Sequence, residues 1–156
     1  MSLMPTLEEM LPQADPMILL SDYEEPVEGS STVVSYVDIS ERSPFYDCAV
    51  GGTPSVTALE YMAQTMALCV GFDRRRKGLK PKLGFVLGSR RLEVRVPCFR
   101  NGERYRVVAE CTYTDDEFGS FDCGIYDSAG VEVAKATVTA FQPDFETTPD
   151  KLEAFT

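Results

Sequence analysis

Residues Pro54 to Phe72 read PSVTALEYMAQTMALCVGF, and Glu60 is the one formally charged side chain among them. Apolar residues fall on every side of a 3.6-residue turn here, which predicts a helix that is hydrophobic all round and belongs in the middle of a core. An unpaired charge in such a place costs on the order of several kcal/mol. Glu60 is therefore a candidate for chemistry, with a buried carboxyl held by local hydrogen bonds as the structural alternative. The chain contains no histidine, so the side chain that ordinarily titrates near neutral pH is missing. Thr53 and Pro54 read as an N-cap and first-turn pair, and Gly78 stops the helix after Lys77.

Outward from this helix the pattern changes to period two. Ser31 to Ile39 alternates, placing Thr32, Val34, Tyr36 and Asp38 on one face and Val33, Ser35, Val37 and Ile39 on the other. Met17 to Tyr23 reads as a short apolar strand, and further strands are expected at Leu83 to Leu87, Leu92 to Val96, Glu103 to Tyr113, Ser120 to Tyr126 and Val131 to Phe141. The last three are separated by the turn signals Asp115, Asp116, Glu117 and Asp127, Ser128, Ala129, Gly130. Thr6 to Leu11 reads as a helical turn stopped by Pro12. One long helix and a run of hairpin-linked strands predict an α+β fold in which a curved antiparallel sheet wraps the helix. A single helix leaves an edge or face uncovered, so a dimer is expected. The length suits one domain of the usual ~100 to 200 residues, placed at residues 6–143. Residues 1–5 read as a cloning scar and a disordered start, and 144–156 as a loose acidic tail.

Composition narrows the function classes. No uncharged apolar run of ~18 residues and no charged-then-apolar leader are present, so a cytoplasmic protein is expected. The five cysteines, Cys48, Cys69, Cys98, Cys111 and Cys123, form no Cys-x-x-Cys pair and have no histidine to complete a zinc set. They read as reduced thiols without a metal, and no cofactor is expected. Cys48, just before the helix, is the thiol whose pKa a helix N-terminus would lower. The net charge of −10 splits into −10 over residues 1–60, +8 over 61–112 and −8 over 113–156. The positive block holds Arg74, Arg75, Arg76, Lys77, Arg90 and Arg91. Cations also favour a helix C-terminus in their own right; as a functional feature the block reads as a docking patch for a compact acidic partner. Nucleic acid is a poor fit, because the acidic ends repel a long polyanion and no stacking motif accompanies the patch.

Leu11, Pro12, Pro16, Met17, Leu19, Leu20 and Asp22, then Pro44, Phe45 and Tyr46, then Leu59, Glu60, Tyr61, Met62, Ala63 and Gln64 resemble three motifs of one family. These are the Leu-Pro-x-x-x-Pro opening, the Pro-Phe-Phe before the active-site loop and the Glu-x-Met-Ala-Gln helix motif of the hotdog-fold beta-hydroxyacyl-acyl-carrier-protein dehydratases. The resemblance spans about residues 7–142. Where the family carries Gly-His-Phe-Pro, this chain reads Asp47, Cys48, Ala49, Val50, Gly51, Gly52, Thr53, Pro54, a shorter loop without the catalytic histidine. That departure is most similar to the histidine-lacking dehydratase-like proteins associated with aryl polyene biosynthesis.

The resemblance implies a base that takes a proton beside a thioester carbonyl, an acid that protonates the departing beta-hydroxyl, and backbone N–H groups that hold the enolate-like oxygen. Glu60 matches the acid, with a pKa expected to be raised by apolar surroundings. Gly51 and Gly52 allow close backbone approach, and Gln64, one turn on, is placed to orient Glu60 or simply to pack. Three readings follow. The chain is a dehydratase using Asp47 or Cys48 in place of histidine, or a subunit lending Glu60 to a histidine-bearing hotdog partner, or a thioesterase whose helix carboxylate needs no histidine. A non-catalytic carrier-protein binder is the limit of the second. The implied partners are an acyl carrier protein or coenzyme A thioester and a homodimeric or heterodimeric hotdog mate.

Overall fold

A computed structural model describes residues 4–80, 84–115 and 117–142. Its elements in chain order are α1 (Leu7–Met10), β1 (Asp22–Tyr23), β2 (Thr32–Asp38), β3 (Gly52–Pro54), a 3-10 turn (Ser55–Thr57), α2 (Ala58–Arg76), β4 (Phe85–Val94), β5 (Cys98–Arg100), β6 (Arg104–Thr114), β7 (Phe118–Tyr126) and β8 (Glu132–Phe141). Six strands form one antiparallel sheet in the order β1-β2-β6-β7-β8-β4, and β3 pairs with β5 apart from it.

Period-two alternation decides which side of this sheet meets the helix. Along β6, Tyr105, Val107 and Ala109 are buried while Arg104, Arg106 and Glu110 are exposed. Onto the buried face α2 lays Tyr61, Met62, Thr65, Met66, Leu68 and Phe72. Phe99 of β5 stands edge-on between Tyr61 and Tyr105, with ring centroids 5.3 and 5.0 Å away, a geometry that aromatic quadrupoles favour. The polar exceptions in the core are paired, as where Ser35 and Thr65 share a 2.7 Å hydroxyl hydrogen bond. The expected α+β hotdog architecture is the one observed.

Several local expectations are corrected. Thr53 does not cap α2. It is an extended residue of β3, facing Phe99 across the ladder, and its buried hydroxyl bonds the Tyr61 hydroxyl at 2.8 Å. The 3-10 turn intervenes, so α2 begins at Ala58. Met17 to Ser21 is not strand: the Met17 carbonyl and the Leu19 N–H are bonded to Gln64 of α2, Leu19 and Leu20 are buried, and the Ser21 N–H donates to the Tyr36 carbonyl of β2. The two strands expected around residues 83–96 are one strand, β4, whose ladder to β8 shifts register between Val86 and Gly88 and again between Arg90 and Glu93. Leu83, Asp116, residues 1–3 and the acidic tail from 143 onward lie outside the described residues. The turns marked by aspartate form as read. Asp115 Oδ1 accepts from the N–H groups of Glu117 and Phe118, and Asp127 Oδ1 from those of Ala129 and Val131.

β4 lies at the sheet edge, with Val86, Leu87 and Leu92 exposed along it. Among the described residues no helix is long and apolar enough to cross a membrane.

Candidate active site

Spacing along α2 sets out the site. Glu60, Ala63, Ala67, Val70 and Arg74 recur at three- and four-residue intervals and so share one face of the helix. That face is not buried by the sheet. It lines an open cavity of about 760 Å³ whose other walls include Val33, Cys111, Phe121 and Ala140. The helix is thus apolar all round, as read, but one stripe of it belongs to a cavity. Glu60 is half-buried at that stripe instead of sealed in the core. The side chains that sequence reasoning missed are the small ones, Ala63 and Ala67, whose size leaves the room. Counting threes and fours from Glu60 would have found them.

Gln64 fixes the carboxylate. Its Oε1 accepts from the Leu19 N–H at 2.9 Å, while its Nε2 donates to the Met17 carbonyl at 2.7 Å and to Glu60 Oε1 at 3.0 Å. Only the amide orientation with oxygen toward Leu19 satisfies all three bonds, and the side chain is fully buried. The segment from Met10 to Leu19 therefore runs back along α2. It starts where the Met10 carbonyl oxygen would lie 2.6 Å from a Cβ on Gly71 and ends at Gln64.

The residues before the helix make a separate structure. The Asp47 carbonyl oxygen accepts from the N–H groups of Val50 and Gly51, and Asp47 Oδ1 accepts from the Ala49 N–H at 2.9 Å. The Asp47 carboxylate thus braces a tight turn, on which Cys48 is exposed and Gly51 takes φ +72°. Gly52 is there for close approach, but to β5: a Cβ would fall 1.9 Å from the Phe99 carbonyl oxygen. Asp47, Cys48, Gly51 and Gly52 are not among the residues that line the cavity holding Glu60.

The basic block also divides. Arg74, Arg76 and Lys77 reach the cavity at the C-terminal end of α2, where Arg74 Nε donates to the Lys80 carbonyl at 2.6 Å and Lys77 pairs with Asp73 at 3.0 Å. Arg75 is exposed beside them. Arg90 and Arg91 are exposed on β4, and Arg91 lines a depression on the outer face of the sheet together with Glu110 and Asp122. Cys69 and Cys111 both line the cavity; burial pushes the Cys69 thiol up to about 11, with Cys111 adding to the shift. Among the described residues no cluster of three or more possible ligands could hold a metal ion.

Three comparisons bear on this arrangement. The ApeP-like family, described as ApeP dehydratase, matches residues 5–153. The dehydratase heterocomplex ApeI:P from Xenorhabdus doucetiae superposes with a TM-score of 0.84 at 25% identity, covering 96% of this chain and 97% of that one. A hypothetical thioesterase with coenzyme A from Streptococcus pneumoniae superposes at 0.61 with 18% identity over 83% of this chain and 91% of that one. The PaaI protein of the E. coli phenylacetic acid degradation operon does so at 0.58 with 12% identity, over 78% and 82%. The latter two are likenesses of fold. No curated protein matches the chain. The helix motif around Glu60 and the match along nearly the whole chain agree: the protein belongs to the ApeP-like dehydratase family.

Proposed function

We propose that this chain supplies Glu60 to a dehydratase site completed by a histidine-bearing hotdog subunit, acting on 3-hydroxyacyl thioesters of an acyl carrier protein or coenzyme A. The observation that carries the reading is the clamped Glu60 carboxylate facing a cavity from which the chain's own Asp47 and Cys48 are absent. In the reaction a base removes the proton alpha to the thioester carbonyl, Glu60 delivers a proton to the beta-hydroxyl, and water leaves as the double bond forms. The chain has no imidazole for the first transfer, and general-base help is worth typically ~10² to 10⁴ in rate. Asp47 is a poor substitute, since its carboxylate braces its own turn. The solved relative is itself a heterocomplex, and the exposed Val86, Leu87 and Leu92 on the β4 edge are what a subunit contact would cover. Arg74, Arg76 and Lys77 at the cavity fit an acidic carrier protein.

The test is turnover of a 3-hydroxyacyl carrier-protein substrate by the chain alone, by a histidine-containing hotdog homologue alone, and by the two together. Activity is expected on mixing and not from this chain alone. Glu60→Gln keeps an oxygen acceptor for Gln64 Nε2 but cannot donate a proton as a carboxyl does, so the mixed activity should fall ~10² to 10⁴-fold with the melting temperature unchanged. Robust dehydration by this chain alone would overturn the partner requirement. Release of free thiol from an acyl thioester lacking a beta-hydroxyl would instead establish a thioesterase.

A further inference from the structure

The cavity runs from a carboxylate at one end to a group of cations at the other. Glu60 and Arg74 stand fourteen residues apart on one face of α2, about 21 Å at 1.5 Å per residue. Between them that face presents Ala63, Ala67 and Val70 to the cavity. At the far end Arg74, Arg76 and Lys77 line it, whereas Arg75 of the same run does not. Three acids, Asp73, Asp115 and Glu117, line this end too. Asp73 is paired with Lys77 at 3.0 Å, and the Asp115 carboxylate is taken up by the Glu117 and Phe118 N–H groups and the Tyr113 hydroxyl. That leaves Arg74 and Arg76 against Glu117. Arg74 bonds the Lys80 carbonyl through Nε, and a guanidinium has further N–H donors to offer. Arg76 is exposed and forms no ion pair among the described residues.

A 4′-phosphopantetheine arm has the length of this groove. About 13 bonds separate its phosphorus from the thioester sulfur, which at the extended reach of a three-bond peptide residue spans about 15 Å. The bonds from sulfur to a beta-hydroxyl add about 5 Å by the same measure, so an ester with its hydroxyl at Glu60 carries its phosphate to the level of Arg74. We propose that the thioester enters from the C-terminal end of α2, with the arm's phosphate held by Arg74 and Arg76 and the arm lying along Ala63, Ala67 and Val70. The acyl chain then extends beyond Glu60 instead of filling this groove. The inference rests on the acyl-thioester reading of the cavity and adds to it a direction of entry and an anion subsite. The planar guanidinium matches phosphate with paired donors, and two of them outweigh the partial negative charge of the helix end. Because the cavity is open, the arm's amides keep their water. Carrier-protein and coenzyme A thioesters share this phosphorylated arm, so one subsite serves either.

The experiment measures kcat/KM of the complex with the histidine-bearing homologue on one 3-hydroxyacyl chain carried by N-acetylcysteamine, pantetheine or 4′-phosphopantetheine. In wild type the phosphorylated ester should exceed the plain pantetheine ester by about tenfold or more, and the gap should narrow as salt screens the guanidiniums. The double variant Arg74→Gln, Arg76→Gln should lose that gap, and lose it in KM rather than kcat, as an interaction made equally in ground and transition states requires. Val70→Phe adds bulk about 15 Å along α2 from Glu60, beyond the ~11 Å that the N-acetylcysteamine ester reaches from its hydroxyl. It should cut kcat/KM by about tenfold or more on both longer esters and spare the truncated one. The arginine variant decides the phosphate subsite even where Val70→Phe fails to fold. Equal kcat/KM for the phosphorylated and plain pantetheine esters in wild type, a gap that survives in the arginine variant, or a Val70→Phe loss equal on all three esters would overturn the proposal and leave the dehydratase reading standing. So would failure of the arginine variant to assemble with the homologue, which would make these side chains part of the subunit contact. Absence of turnover of any ester by wild type would overturn both.

Discussion

Gln64 connects the backbone that closes over α2 to the side chain proposed to do the chemistry. Replacing it with Leu leaves the Leu19 N–H and the Met17 carbonyl without partners and frees Glu60 to rotate. Buried groups left unpaired cost about 1–3 kcal/mol, and in a domain of this size each kcal/mol shifts the melting temperature by about 2–4 °C. Gln64→Leu is thus expected to lower the melting temperature by several degrees and to reduce turnover of the mixed complex, whereas Glu60→Gln reduces turnover alone. Calorimetric melting of both variants separates the roles; a Gln64→Leu protein as stable as wild type would show that the three hydrogen bonds carry no net stability. That Gln64 sits one turn after Glu60 was legible from spacing. Its grip on Met17 and Leu19 was not, because those partners are 47 and 45 residues away in sequence.

The short β3–β5 pair, absent from the sequence reading, is the element that most depends on one residue. Neither strand is long enough to show alternation, and Gly52–Pro54 resembles a helix start in composition. Gly52→Ala would drive a methyl group to 1.9 Å from the Phe99 carbonyl oxygen, so β3 must part from β5 and carry Thr53 off the Tyr61 hydroxyl. Overpacking of this kind costs about 1–3 kcal/mol, and the upper part of that range is expected because the clash is with backbone. Gly88→Ala in β4 is the matched control, since nothing lies within 4 Å of its Cβ position; its effect should stay within about 0.5 kcal/mol. Urea unfolding of the two variants decides the matter, and equal midpoints would contradict it.

Burial of weak acids across the core sets how the whole molecule responds to alkali. Burial raises the Cys69 thiol from 9.0 to about 11, the Cys123 thiol from 9.0 to about 12 and the Tyr105 hydroxyl from 10.0 to about 12. In the unfolded chain these groups ionise at their ordinary values, so above pH 9 the unfolded state binds fewer protons than the folded one. Stability held by their protonated forms is complete below pH 9 and is lost as pH climbs toward 12. Melting temperatures at pH 8, 9.5 and 11 should therefore fall progressively, and Cys123→Ala should flatten part of the slope. A flat profile over that window would show that the thiols stay accessible to water.

Local periodicity and contiguous motifs sufficed for the long helix, the run of antiparallel strands after it and the family, and they singled out Glu60 as the candidate carboxylate. Tertiary contacts were needed to show that Thr53 pairs with β5 rather than capping α2, and that Met17 and Leu19 hold Gln64. It also separated Arg74, Arg76 and Lys77 from Arg91, which a linear count of charge had merged into one patch. The physical reason is the same throughout. Periodicity reports which face of an element is apolar, whereas hydrogen bonds between distant segments and the side on which a residue emerges depend on how the faces are assembled. The stripe from Glu60 to Arg74 is apolar at its centre like a core stripe, and it becomes a cavity wall because the small side chains of Ala63 and Ala67 leave room between it and the strand residues opposite.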